Sequence, residues 1–169
     1  MEVPKDKFIL DACCGGRMFW FNKNHPNTLY IDNRVESKGH ITKKSGHSIK
    51  PNEIMDFRNL DFPDNSFKLV VWDPPHRTDF TKTSIMAKQY GILNKETWPY
   101  DLKKGFNECW RVLENHGILI FKWNEKQIKV KEVLRLFNVE PLFGHITNNS
   151  YTTYWLCFMK IPGTINKNG

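Results

Sequence analysis

The sequence predicts a single α/β domain built on a mostly parallel sheet. Three observations predict it. Short apolar runs alternate with polar or helix-forming segments, successive runs terminate in aspartate, and two strand-like runs adjoin near the C-terminus. In an open sheet of this class the carboxyl ends of the strands border a common ligand crevice, so a series of acids there marks the expected site. A lone Asp is an ordinary turn residue. The set carries the inference.

Phe8-Ile9-Leu10 reads as a buried strand that ends in Asp11 and runs into the small-residue turn Ala12-Cys13-Cys14-Gly15-Gly16. Arg17 to Lys23 predicts a short helix, ended by His25-Pro26. Thr28 to Ile31 is a second strand before Asp32, Glu53 to Met55 a third before Asp56, and Phe67 to Trp72 a fourth before Asp73. Asp101 can cap a helix whose apolar face is Leu102, Phe106, Cys109, Trp110 and Leu113, stopped by Asn115 to Gly117. Gly117 to Trp123 is the fifth strand, and a second helix is expected from Glu125 to Phe137. Glu140 to Ile146 and Tyr151 to Lys160, joined by Thr147-Asn148-Asn149-Ser150, form a C-terminal antiparallel hairpin. The domain is expected over residues 1–162, with 163–169 as a loose tail.

Composition narrows the function classes. A length of 169 residues fits one domain, and 40% hydrophobic with 14% aromatic residues can fill a core. No apolar run approaches the roughly 20 residues of a membrane span, and Met1 to Lys7 has no signal-peptide layout. The four cysteines, with Cys13 beside Cys14 and no C-x-x-C pair, make no disulfide framework, so a reducing cytoplasm is the expected compartment. No metal is expected: His40, His47 and His145 have no second ligand at zinc-like spacing. No His supports a nucleophilic Cys, and no Gly-Lys-Ser/Thr phosphate loop exists.

The net charge of +7 is concentrated. Arg34 to Lys50 carries a net +4 and His76 to Lys104 a net +3, and both segments read as loops without a sustained helical period. They are either solvated loops or arms that meet a polyanion. Tyr90, Trp98 and Tyr100 favour the second, because aromatics within a basic loop can stack bases.

The segment Phe8 to Gly16 resembles the first motif of class I S-adenosylmethionine-dependent methyltransferases. Asp56 to Val70 resembles their third-motif region, and Glu108 to Leu113 with Gly117 to Ile120 their helix and fifth strand. Asp73-Pro74-Pro75-His76 is similar to the D/N-P-P-aromatic box of enzymes that methylate amino groups of nucleobases. The box together with Lys122-Trp123-Asn124-Glu125 resembles a group of small phage-borne methyltransferases. Two departures stand out: Cys13 replaces the first glycine of the usual Asp-x-Gly-x-Gly, and Arg17 stands where a further Gly often sits.

The resemblance implies a Rossmann-like fold and S-adenosylmethionine as cofactor. It places Asp11, Ala12, Cys13 and Gly15 at the methionine part, Asp32 at the ribose hydroxyls, and Asp56 with Phe57 at the adenine. Asp73 and the Pro74 carbonyl would accept from the target amine, with Pro75 stiffening the box and His76 stacking the base. Arg77, Lys82, Lys88, Trp98, Lys122 and Asn124 would touch the acceptor; Trp123 either joins them or simply packs. The implied reaction is methyl transfer to an exocyclic amine of adenine or cytosine, in DNA before RNA. Two alternatives stay open: an amide nitrogen in a protein, and a non-catalytic nucleic-acid-binding subunit of the same fold. With so little chain for reading sequence, a homodimer or a partner protein would supply any long recognition site.

Overall fold

The computed structural model describes residues 1–43, 46–81, 83–146 and 152–163. Its elements are β1 (Ile9–Asp11), β2 (Thr28–Asp32), β3 (Glu53–Ile54), β4 (Phe67–Trp72), α1 (Ile85–Tyr90), α2 (Trp98–Val112), β5 (Leu113–Asn124), α3 (Val130–Leu134), β6 (Phe143–Ile146) and β7 (Thr153–Met159). They build one seven-stranded sheet in the order β3-β2-β1-β4-β5-β7-β6. The strands from β1 to β5 pair in parallel, and β7 runs antiparallel between β5 and β6. The expected α/β class and the C-terminal antiparallel pair are therefore present. The turn expected at Thr147 to Ser150 lies outside the described residues, as do Lys82 and all of the expected tail beyond Gly163.

α2 and α3 cover one face. Alternation along β5 buries Leu119, Phe121 and Trp123, which share a core with Leu10, Val70, Trp72 and Phe158. α2 closes it with Leu102, Phe106, Cys109 and Val112, and the Phe106 ring stacks on Phe137 at 4.0 Å between centroids. On the opposite face Phe19 meets Trp155 edge-on and Trp20 meets Tyr30, while Leu69, Ile118 and Ile120 are only partly buried.

Three expected helices come out differently. Arg17 to Lys23 is a series of turns: Arg17 takes a left-handed φ of 53°, and its guanidinium lies over the Tyr30 ring and bonds the Lys23 and Lys50 carbonyls. Those anchors, with Trp20 drawn to Asp11, replace helical hydrogen bonds. The helix expected to start at Asp101 begins earlier, at Trp98, with Pro99 in its first turn. Asp101 is thus no cap but a buried first-turn acid, held by Arg58 and the Thr97 hydroxyl. The helix expected over Glu125 to Phe137 shrinks to α3, because turns fill the residues on either side. Within the basic segment read as a loop, α1 forms, capped by the Ser84 hydroxyl accepting from the Ala87 N–H.

Candidate functional site

The strand order reverses between β1 and β4, and a crevice at such a switch point is where an open α/β sheet receives its ligand. Asp11 ends β1, Asp73 follows β4, and Asp32 ends the neighbouring β2. Each acid has a different environment. Asp11 is fully buried; its Oδ2 accepts from the Trp20 indole at 2.7 Å and its Oδ1 from the Cys13 N–H at 3.3 Å. Burial outweighs those bonds and pushes its carboxyl up to about 7.

Asp32 and Asp56 are both saturated, and by the same device. A carboxylate offers about four lone-pair sites. On Asp32, Oδ1 accepts from the Arg34 N–H (3.0 Å) and Nε (3.1 Å), and Oδ2 from the Gly15 N–H (2.9 Å) and Arg34 Nη2 (3.4 Å). On Asp56, the Arg58 N–H and Nε reach Oδ1, while Nε and Nη2 reach Oδ2. Arg58 also bonds Asp101 of α2 at 2.9 Å, which fastens the end of β3 to that helix. Burial raises the Asp56 carboxyl, and the Arg58 bonds more than reverse this and hold it below its ordinary value. This Asp-x-Arg repeat, Asp32-Asn33-Arg34 and Asp56-Phe57-Arg58, is written in the sequence, yet the two arginines were not among the expected site residues.

Asp73 sits between Lys122 and His76. Lys122 Nζ, from the end of β5, donates to Oδ2 at 2.6 Å, and His76 Nε2 stands 3.0 Å from Oδ1. Burial pushes the Asp73 carboxyl up, but His76 and Lys122 prevail and hold it below the ordinary range, so it is ionised at neutral pH. Oδ1 is buried, and beyond the His76 contact it keeps an acceptor lobe unfilled. Trp123 braces this group from below. It is fully buried, meets His76 edge-on at 5.1 Å, and donates its indole N–H to the Ile128 carbonyl. Of its two expected roles, packing is the one the structure shows.

Three connected compartments line the carboxyl edge. The largest, about 650 Å³, is bordered by Cys13, Arg34, Phe57, Arg58, Lys88 and Asp101. A second of about 220 Å³ is bordered by Cys13, Gly15, Met18, Arg34, Asp73 and Lys122. The third, about 350 Å³, is bordered by His76, Arg77, Phe80, Tyr90, Lys122 and Asn124. Arg34 and Cys13 are common to the first two, and Lys122 and Tyr90 to the last two. Lys88 therefore faces the first compartment, whereas Arg77, stacked on Phe80, and Asn124, bonded to the Thr153 hydroxyl, wall the third. Trp98 packs against the core at the start of α2 and borders none of the three. Pro75 borders the first compartment, and Gly91 (φ 79°) packs so close to it that an added Cβ would lie 2.9 Å from the Pro75 ring. Gly91 thereby seats the end of α1 on the Asp-Pro-Pro box.

The strand order, with β7 inserted antiparallel beside β5, decides the architecture. The fold is a methyltransferase-like α/β fold. A protein from Pyrococcus horikoshii OT3 superposes with a TM-score of 0.55 over 90% of this chain and 81% of its own, at 16% identity. A SAM-dependent methyltransferase from Leishmania major superposes with a TM-score of 0.52 over 89% of this chain and 63% of its own, at 15% identity. No protein-family model and no curated protein matches the chain. The residues present fit the cofactor of that fold: a buried acid at the end of β2, the ring of Phe57 bordering the larger compartment, and small residues at the β1 turn. Burial pushes the Cys13 and Cys14 thiols up, the latter to about 12, so neither supplies a thiolate.

Proposed function

We propose that the protein transfers a methyl group from S-adenosylmethionine to an exocyclic amino nitrogen of a nucleobase, with DNA as the first acceptor to test and RNA as the second. The observation that carries this reading is Asp73: ionised, buried, bordering the second compartment, and with an acceptor lobe of Oδ1 unfilled. When bound, the cofactor supplies a methyl group on a positively charged sulfur. Asp32, Asp56 with Phe57, and the turn at Ala12, Cys13 and Gly15 would hold it, with Asp11 beneath that turn. The third compartment would take the base, with Arg77, Lys122 and Asn124 on its wall.

An exocyclic amine is a poor nucleophile because its lone pair is delocalised into the ring. Asp73 Oδ1, accepting one N–H, and the Pro74 carbonyl, accepting the other, would draw the nitrogen toward tetrahedral geometry. The carboxylate then stabilises the positive charge that develops on nitrogen. With its pKa held low, Asp73 cannot deprotonate a neutral amine; the proton leaves after the methyl has arrived. Lys122 and Trp123 act through others, the first by fixing Oδ2 and the second by holding the His76 ring. Lys122 to Glu125 extends the resemblance to small phage-borne methyltransferases into this wall.

The test incubates the protein with methyl-labelled cofactor and separate DNA, RNA and protein acceptors, then digests the labelled polymer to nucleosides or amino acids. An N-methylated adenine or cytosine is the expected product. Label in protein alone would replace this reading with the amide one, and no binding of S-adenosylhomocysteine would remove it.

A further inference from the structure

Asp32 and Asp56 look alike but differ in what their arginines can do next. Arg58 is tied on its far side to Asp101, so it is held from two directions. Arg34 is not. Its Nη1 is buried without any hydrogen-bond partner among the described residues and points to the Gly91 side of the cleft, 3.5 Å from where a Cβ of Gly91 would stand. The guanidinium also forms the wall between the first two compartments. Resting on the cofactor reading above, a ribose diol that reaches Asp32 needs acceptor sites, and all of those are taken. Two of the four donors are backbone N–H groups of Gly15 and Arg34, which the chain fixes. The guanidinium is the part that can leave.

We infer that Arg34 is a phosphate-binding residue for the acceptor strand that cofactor binding releases. In this structure its charge is neutralised by Asp32. With the ribose on Asp32, the displaced guanidinium needs another anion, and it lies at the head of the basic Arg34 to Lys50 segment beside Gly91 and the Asp-Pro-Pro box. An acceptor phosphate there satisfies it with the bidentate geometry that Arg favours. Cofactor and acceptor then bind cooperatively, and by linkage each strengthens the other by the same factor.

The experiment measures binding of a fluorescein-labelled single-stranded 20-mer oligodeoxynucleotide with and without saturating S-adenosylhomocysteine, and the reciprocal affinity by calorimetry. For the wild type the expected result is binding about 5–10-fold tighter with the cofactor product, and a salt slope steeper by up to about 0.7, the value of one phosphate contact on a single strand. Arg34→Gln should bind S-adenosylhomocysteine at least as tightly as wild type and show no coupling. Arg34→Lys, which keeps the charge, should retain part of it. Equal oligonucleotide affinity with and without the product in the wild type would overturn the inference, as would undiminished coupling in Arg34→Gln. So would loss of S-adenosylhomocysteine binding in Arg34→Gln, since Arg34 would then support the cofactor instead of competing with it. Failure of the wild type itself to bind S-adenosylhomocysteine would instead remove the cofactor reading on which the inference stands.

Discussion

Replacing Asp11 by asparagine tests the electrostatic cost of placing a carboxyl beneath the cofactor turn. The folded protein holds this group at about 7 against an ordinary value of 3.8. At 1.36 kcal/mol per decade, that makes the buried anion about 4 kcal/mol less favourable than in the unfolded chain. Between the two values the folded state keeps a proton that the unfolded state has released, so stability falls as pH rises through this window. About 3 kcal/mol of the loss comes between pH 5 and pH 8. The Asp11→Asn variant would keep the Trp20 bond through its amide oxygen and lose the longer one from Cys13 at 3.3 Å, a cost of about 1 kcal/mol. The net gain at pH 8 is about 3 kcal/mol, a rise in Tm of about 6–12 °C for a chain of this length. At pH 5 the two proteins should melt together within a few degrees. Thermal unfolding followed by circular dichroism at both pH values reads this directly. The carboxylates held low, Asp56 and Asp73, are ionised at both and cancel in the comparison. A Tm difference that is the same at pH 5 and pH 8 would show that Asp11 is not the group that titrates.

Asp73→Ala should abolish methyl transfer while leaving S-adenosylhomocysteine affinity within a few-fold, measured by radiolabel incorporation and calorimetry; near-normal turnover would exclude the acceptor role given to Asp73. Gly105→Ala should lower both Tm and cofactor affinity. An added Cβ there would lie 2.5 Å from the Phe57 ring and 2.7 Å from Trp72, and overpacking costs about 1–3 kcal/mol, more than the roughly 1 kcal/mol gained in helix propensity. Arg77→Gln combined with Lys126→Gln should weaken oligonucleotide binding and flatten its salt slope by up to about 0.7 per lost contact on a single strand, without changing cofactor affinity.

The first four parallel strands, their order of appearance and the acids at their ends were legible because each is a short apolar run closed by Asp, and the hairpin because two strand-like runs adjoin near the C-terminus. Local signals failed where long-range contacts decide. Arg17 to Lys23 has residues compatible with a helix, but Trp20 is pulled to Asp11 and Arg17 to Lys50, contacts that no local pattern reveals. α1 carries its Ser84 cap and closing Gly91 in the sequence, yet buries only Ala87, so it shows no apolar period. Within the site, Asp73 was found from its Pro-Pro neighbours. The partners that set its charge state come from His76 nearby and from Lys122, 49 residues away. The capping arginines could have been found: an Asp followed two residues later by Arg, twice, is a local pattern.

The insertion of β7 between β5 and β6 has a consequence for assembly. A chain emerging from its N-terminus can complete β1 to β5 early, but β5 must then wait with one edge unpaired until the residues of β7 arrive. The wall of the third compartment waits with it, because Asn124 is bonded to Thr153 on that last strand. Until β7 pairs with β5, the third compartment stands open on one side. Until β7 docks, the open side of β5 is an unpaired strand edge of the kind that invites aggregation.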